Sequence, residues 1–371
     1  MSEKQKALLS LTLALESCKA ALIFLTTNIT DTNAIQSLPN LAVIRKDFLS
    51  ILSMLHGSST KISLVLKPSS LAYKASLAPL KDISDHISAL AHCVRLVREH
   101  GYGVTLQKEI QTVAKDVIDS IKALLEALLV ILNQEHPENG GDEYLSRTGI
   151  VHEVIEAAQA VDGISKDNVD AVRRIWLRDY GSLADGLDEV REMCESGGLN
   201  EEDLIDDGWD ELGLGSTVAL SPDEVSRAKQ VQAIIHLSTL LYKHISQDFL
   251  PSLETSHLPT SINRQLDELA LLSPTLVSAS DDLISTLYGP QNTNSIRTEL
   301  AAYQDTLRRL HSTLDVLLVD PPLEKQFEQL NVSNKPRSGK TPSKIWLKTC
   351  FGQIEKCRQT LLVTLDAREQ L

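Results

Sequence analysis

Residues 104–136 read VTLQKEIQTVAKDVIDSIKALLEALLVILNQEH, and this stretch decides the fold class of the chain. Its apolar side chains advance in steps of three and four residues, which places them along one stripe of an α-helix. The stripe consists of Leu106, Ile110, Val113, Val117, Ile121, Leu124, Leu128 and Ile131. Charged side chains fill the opposite face. At 1.5 Å per residue such a helix is about 45 Å long, and this length indicates an elongated helical bundle.

The same helical spacing recurs along nearly the whole chain. It predicts further helices over 3–27, 39–66, 70–99, 142–162, 165–197, 222–250, 258–288, 294–318 and 342–370. Ser165 is the expected N-cap of the helix that ends at Gly197. Ser221 and Glu224 form an expected capping box around Pro222. The run Ile62–Leu66 is too short and isolated to found a sheet, so the sequence predicts an all-α protein of up-down helical bundles.

Two segments interrupt the helical pattern and suggest the domain organisation. Residues 198–220 are rich in acids, and no Lys or Arg occurs between Glu192 and Ser226. Such a composition cannot bury a core, so it predicts an acidic linker. We therefore expect an N-terminal bundle of five or six helices over 1–197 and a C-terminal bundle of about four helices over 221–371, packed as two bundles.

The second interruption, 331–344, is polar and basic. Its candidate regulatory residues are Lys335, Arg337, Ser338, Lys340, Thr341 and Lys344. Phosphorylation there would cancel local positive charge, and the basic cluster also fits a nuclear-import signal. The plainer alternative is a solvated loop.

Composition argues against several functional classes. The chain carries 50 acidic and 36 basic side chains, a formal net charge of −14, so its field repels phosphate backbones and no direct binding to nucleic acid is expected. Five scattered cysteines predict reduced thiols. The ten histidines show no metal-ligand spacing, and no Walker loop, GxSxG elbow or GxGxxG fingerprint occurs. We expect no enzyme, no cofactor, no metal and, because no apolar run reaches about 20 residues, no membrane span. Lys4 and Lys6 open a first helix rather than a signal peptide.

Several stretches, taken in order, resemble the cyclin-D-binding protein family, also called the GCIP (cyclin-D-interacting) family. These stretches are Gly103–Ile110, Asp116–Asp119, Leu124–Leu128, Ser165–Asn168, Asp188–Met193, Asp206–Glu211, Arg227–Lys229, Gln265–Leu269, Ser273-Pro274, Asp281–Leu283 and Leu287–Pro290. The resemblance covers about residues 100 to 320. It implies a regulatory protein of cytoplasm and nucleus that binds cyclin-like or other regulatory proteins and acts in cell-cycle progression and transcription. In shape, the expected bundles are closer to those of vinculin and α-catenin than to a helix-loop-helix dimer.

Three hypotheses remain for the binding surface. In the first, the acidic linker docks on a partner through Leu204, Ile205, Asp206, Asp207, Trp209, Asp210, Glu211 and Leu212. The alternative for this segment is that Trp209 packs back on the bundle. In the second, a bundle face binds the partner, as in cytoskeletal or adhesion-type adaptors. In the third, one bundle holds a ligand or active-site pocket lined by Trp176, Tyr180, Tyr242 and His244. The oligomeric state is left open.

Overall fold

The computed structural model describes residues 1–27, 40–99, 101–134, 141–196, 220–253, 262–318 and 343–366. This part of the chain is almost entirely helical and contains no strand, so the all-α prediction is confirmed. The long helices are α1 Glu3–Thr26, α2 Leu41–Val65, α3 Tyr73–Glu99, α4 Val104–Asn133, α5 Glu143–Gln159, α6 Asn168–Ser196, α7 Pro222–His244, α8 Asn263–Ser285, α9 Thr293–Leu317 and α10 Ser343–Asp366. A π-helical turn, Ile245–Phe249, and a short helix, Leu250–Ser252, follow α7.

One predicted helix start is confirmed, and another lies at a different residue. Ser221 and Glu224 form the capping box in both directions, as expected. The start of α6 lies later than predicted, because Asp167 rather than Ser165 caps it: the Asp167 carboxylate accepts a hydrogen bond from the backbone N–H of Asp170 at 2.9 Å. The Ser165 backbone N–H instead donates to Glu109 of α4 at 2.7 Å. The predicted Ser165 cap was therefore wrong.

Residues Met1–Ala171 form the first compact unit, and five helices close it into a ring. In that ring α3 contacts α1 and α2, α4 contacts α1 and α5, and α5 contacts α2. The apolar stripe that decides the fold lies inside: Leu106, Val117, Ile121 and Leu128 are all completely buried. The apolar stripe on α4 is thus buried by packing within its own unit.

Helix α1 is apolar on more than one side. Within the described residues it is the helix that is long and apolar enough, by length and composition, to cross a membrane, and the expectation of no membrane span stays a prediction. A core helix passes the same test. Here α1 contacts α3 and α4 and buries Leu11, Leu15 and Cys18, while Leu9 and Ile23 remain exposed.

The start of α4 is completed by a side chain from far along the chain. Gly103 precedes the helix with a φ of 107° and has no side chain to cap it. Asn168 occupies the space where a Gly103 side chain would lie, and its Oδ1 accepts the hydrogen bond from the backbone N–H of Leu106 at 3.1 Å. Gly103 is needed here for both reasons, its backbone conformation and its missing Cβ.

Two histidines join α2 to α5. The rings of His56 and His152 stack with centroids 3.9 Å apart, His152 is hydrogen-bonded to Thr60 at 3.0 Å, and His56 lies 3.4 Å from Glu156. Burial and, to a lesser extent, the neighbouring His56 lower the pKa of His152, whereas Glu156 opposes this shift. The neutral form of His152 is therefore favoured in the folded state.

The first unit should lose stability in mild acid. Since the pKa of His152 is lower in the folded chain, the unfolded chain takes up a proton more readily, and stability falls as pH drops through the ordinary histidine value of about 6.5. The stability stops falling once the pH is below the pKa of His152 in the folded chain. Urea unfolding followed by circular dichroism at pH 7.5, 6.5 and 5.5 measures this. His152→Gln should flatten the dependence, while His86→Gln on α3 serves as control. An equally steep dependence in His152→Gln contradicts the assignment.

Residues Val172–Leu371 form the second compact unit, which includes most of α6. The sequence pattern assigns α6 to the N-terminal bundle by placing the division at 197. In the structure, the Trp176 indole N–H donates to the Leu269 carbonyl of α8 at 3.0 Å, and Arg173 donates to Ser246 after α7 at 3.1 Å. Packing on these helices buries the apolar stripe of α6, so the second unit contains five helices rather than four.

A buried polar network ties α6, α7 and α8 together. Ser273 donates to the Asp179 carboxylate at 2.7 Å and also shares a short hydrogen bond with the Tyr242 hydroxyl. Arg178 donates to the other Asp179 oxygen at 2.7 Å. Burial raises the pKa of Tyr242, which keeps its hydroxyl protonated as a donor. Every polar group of the network thus has a partner, as burial demands.

Candidate protein-binding groove

A groove of about 470 Å³ opens on the second unit between α9 and α10, with α7 beneath it. Its residues are Ile234 from α7, Leu300, Tyr303, Gln304, Leu307, Arg308 and His311 from α9, and Lys348, Phe351, Gly352, Ile354, Glu355 and Arg358 from α10. On both α9 and α10 the lining residues recur every three or four positions. On each helix, side chains of one face therefore line the groove from one end of the groove to the other.

The groove forms because α9 and α10 each pack mainly against another helix and not against one another. Helix α9 packs chiefly against α8, α10 chiefly against α7, and the two touch each other only in part. Gly352 is exposed in the gap and has open space beside it, because a Cβ built on it would meet no atom within 4 Å. Packed helices normally interlock their side chains across such a seam, and here the seam is left open.

The floor of the groove is apolar and its edge is charged. Ile234, Leu307 and Ile354 are almost fully buried, and the half-buried Phe351 ring stacks on His311 with centroids 4.4 Å apart. This combination of an apolar floor with polar edges is typical of surfaces that bind another protein.

The charge at the edge is mainly positive. Arg308 pairs with Asp305 of the same helix at 2.8 Å, and Arg358 pairs with Glu355 at 2.7 Å. The hydrogen bond from Arg358 holds the pKa of Glu355 below its usual range, with a further contribution from Gln359. Lys348 is exposed and has no ion pair or hydrogen bond to another described residue. Among the lining residues three cations therefore stand against one carboxylate, and Lys348 is the cation without a carboxylate partner among the described residues.

The residues singled out by the sequence lie elsewhere. The acidic docking segment Leu204–Leu212 and the basic residues Lys335–Thr341 fall outside the described residues, and Lys344 is exposed in the first turn of α10, away from the groove lining. The docking-segment and phosphorylation hypotheses stay predictions. Sequence reasoning missed the groove, although a glycine beside Phe351 in the middle of an apolar stripe was a visible signal for it.

The four residues suggested as the lining of a ligand pocket do not enclose a cavity together. Trp176 and Tyr242 are fully buried with ring centroids 4.1 Å apart, which leaves no space between them. His244 stacks instead on Trp346 of α10, at 4.1 Å between centroids, and lies 3.1 Å from Asp248. Tyr180 is half-buried on α6. These four side chains belong to the packing of the second unit.

All five cysteines are free thiols, and burial lowers the reactivity of three of them. Cys18, Cys93 and Cys350 are buried, and burial raises the pKa of Cys18 to about 12 and those of Cys93 and Cys350 to about 11. Cys194 and Cys357 are partly exposed. Within the described ranges, no three His, Cys, Asp or Glu side chains converge in a way that could hold a metal ion.

Several described residues of the stretches that carry the family resemblance form contacts within one or the other unit. Asn168 contacts the start of α4, Ser273 binds Asp179, and the Tyr288 hydroxyl donates to Glu189 at 2.5 Å. Arg227 donates to Gln291, next to Pro290, at 2.8 Å. These residues therefore contribute to helix packing.

Two family models match successive parts of the chain. The N-terminal model of Grap2 and cyclin-D-interacting proteins matches residues 47–196, and the C-terminal model matches residues 205–312. The N-terminal match ends with α6, close to the division expected from the sequence, whereas the helices of the structure divide at Ala171. The α7 and α9 sides of the groove lie within the C-terminal match, and α10 lies beyond it.

Curated relatives are similar over part of their length. Cyclin-D1-binding protein 1 of Mus musculus is 28% identical over 194 residues, which are 51% of this chain and 52% of the mouse protein. Cyclin-D1-binding protein 1 of Bos taurus is 26% identical over 241 residues, which are 62% of this chain and 64% of the bovine protein. The matched part of the chain thus spans about half of one relative and less than two thirds of the other.

Proposed function

The chain belongs to the Grap2 and cyclin-D-interacting family, and from this premise we propose that it is a non-catalytic regulator that binds a D-type cyclin. The groove on the second unit carries the proposal, because it is a concave surface with an apolar floor and a charged edge that the unit's own helices leave open. The names of the mouse and bovine relatives support a cyclin as the partner.

The proposal extends to regulation of cell-cycle progression and transcription in the cytoplasm and nucleus. Binding without catalysis is sufficient for this role, since a regulator that occupies a cyclin surface competes with the cyclin's other partners by mass action. Fluorescence microscopy of the tagged chain tests the location, with signal expected in both compartments. A signal confined to any other compartment contradicts it.

Direct binding is tested with purified proteins. We expect the intact chain to co-elute with a purified D-type cyclin in size-exclusion chromatography and to bind it with a dissociation constant of about 1 μM, a value common for regulatory interactions and equivalent to about 8 kcal/mol. An A-type cyclin should bind at least about tenfold more weakly. No complex with a folded D-type cyclin at about 50 μM would contradict the proposal.

The same assay separates the groove from the acidic segment. If residues 199–215 provide the docking contacts, their deletion and Trp209→Ala should weaken cyclin binding while changes in the groove leave it unaltered. If the groove binds the cyclin, Phe351→Ala should weaken binding while Val363→Ala, an exposed residue of the same helix outside the groove, should not. Unchanged binding in all four variants would assign the partner to another surface.

A further inference from the structure

We propose that the groove between α9 and α10 binds an amphipathic helix of a partner protein that has one apolar face and an acidic edge. This inference rests on the proposed function, since it gives the chemistry of the segment that enters the same groove. It follows from the length of the groove, the open space at Gly352 and the sign of the charge at its edge.

The length of the groove matches a short helix. The lining residues run from Leu300 to His311 on α9 and from Lys348 to Arg358 on α10. At 1.5 Å per residue both stretches measure about 15 Å, which is roughly three helical turns. Because the two helices present parallel rows of side chains at helical spacing, a third helix laid between them can pack its own rows against both.

The floor supplies apolar contact and room for an anchoring side chain. Ile234 and Leu307 are almost fully buried within their own unit, so the apolar contact open to a guest side chain comes mainly from the half-buried Phe351. At Gly352 the helix backbone is bare, and a Cβ added there would have no neighbour within 4 Å. A Leu or Phe of the guest helix fits this space, which makes Gly352 the expected centre of the interface.

The charge at the edge selects an acidic guest. The only carboxylate that lines the described groove, Glu355, is bound by Arg358 and accepts a further hydrogen bond from Gln304 at 2.8 Å. Lys348 is exposed and has no ion pair with a described residue, and Arg308 is also exposed but already paired with Asp305. Carboxylates on the guest would meet these two cations, whereas a basic guest would be repelled. Exposed charges of this kind mainly set the association rate and the choice of partner.

A groove-filling substitution tests the site without weakening the fold. The probe is a labelled peptide of about 15 residues, with Leu at helical spacing and Glu on the flanking positions, compared by fluorescence anisotropy with the same peptide carrying Lys for Glu. Gly352→Leu should weaken binding of the acidic peptide at least tenfold and raise the midpoint of thermal unfolding, because leucine favours a helix over glycine. Gly181→Leu, in α6 and equally free of neighbours, should raise the midpoint and leave binding unchanged.

A charge exchange tests the sign of the edge. The double substitution Arg308→Glu and Lys348→Glu should weaken binding of the acidic peptide about tenfold and make the Lys peptide the better ligand. Lys356→Glu is the matched control, since it adds negative charge to α10 at an exposed position outside the groove lining. Binding of the acidic peptide to the unaltered chain should also weaken with added salt.

Three results would overturn the inference. Gly352→Leu could bind the acidic peptide as tightly as the unaltered chain, or both peptides could bind equally well. Alternatively, the acidic peptide could bind only after deletion of residues 199–219, which would make the chain's own acidic segment the occupant. Cyclin binding that persists in Gly352→Leu refutes the groove and leaves the proposed function standing. Binding of the acidic peptide without binding of the cyclin would support the groove and refute the proposed function.

Discussion

Gly103→Ala should lower the free energy of unfolding by about 3 kcal/mol or more. Two costs add at this position. A φ of 107° is strained for any residue with a Cβ, and the new methyl group would overlap the side chain of Asn168. If Asn168 moves away, the backbone N–H of Leu106 loses its acceptor and the start of α4 loses its cap. Urea unfolding followed by circular dichroism measures the change.

Gly101→Ala is the matched control for this prediction. Gly101 also has a positive φ, of 66°, but no atom lies within 4 Å of a Cβ built there. The cost should therefore be the backbone strain alone, about 1 kcal/mol. If both alanine variants lose the same stability, the overlap with Asn168 contributes nothing, and the proposed role of that side chain as a substitute cap is refuted.

Trp176→Ala should cost the second unit about 4 kcal/mol. The indole is completely buried, lies against the tilted Tyr242 ring and donates its N–H to the Leu269 carbonyl at 3.0 Å. Its removal leaves a cavity that the surrounding helices fill only in part. It also removes the packing that holds Tyr242 next to Ser273, so the neighbouring hydrogen-bonded network is loosened. The loss should appear in urea unfolding as a lower midpoint.

Two further variants separate the contributions to this loss. Trp176→Phe keeps most of the apolar volume but loses the hydrogen bond, and should cost about 2 kcal/mol. Trp346→Ala removes the other described tryptophan of the unit, which is half-buried and stacked on His244, and should cost about 1 kcal/mol. A loss in Trp176→Ala no larger than in Trp346→Ala would contradict the central position assigned to Trp176.

The periodicity of the sequence predicted the helices well, because that signal is local. Each apolar stripe, such as Leu106 to Ile131, fixes a buried face whatever the partner helix is. The N-cap of α6 was harder: Ser165 and Asp167 are both good caps, and the choice depends on Glu109 of α4, which binds the Ser165 backbone. That contact is visible only after the fold has formed.

The division of the chain and the groove depend on packing between distant segments. The stripe on α6 shows that the helix has a buried face, but it does not show which helices cover that face; the Trp176–Leu269 contact does. The groove requires α9 and α10 to be packed on different neighbours. Leu307 and Phe351 read as ordinary core residues in the sequence, so apart from the glycine beside Phe351 the sequence carried no local signal for the open seam between their helices.

The hydrogen bond between Leu106 and Asn168 also bears on biosynthesis. The ribosome delivers α1 through α4 well before residue 168 leaves the exit tunnel, and α5, which joins α2 to α4, appears late as well. The nascent chain therefore carries the largely apolar α1 and an uncapped α4 while the ring is still open. Such intermediates expose apolar surface and aggregate, so the first unit should depend on chaperones until its last segment has been translated.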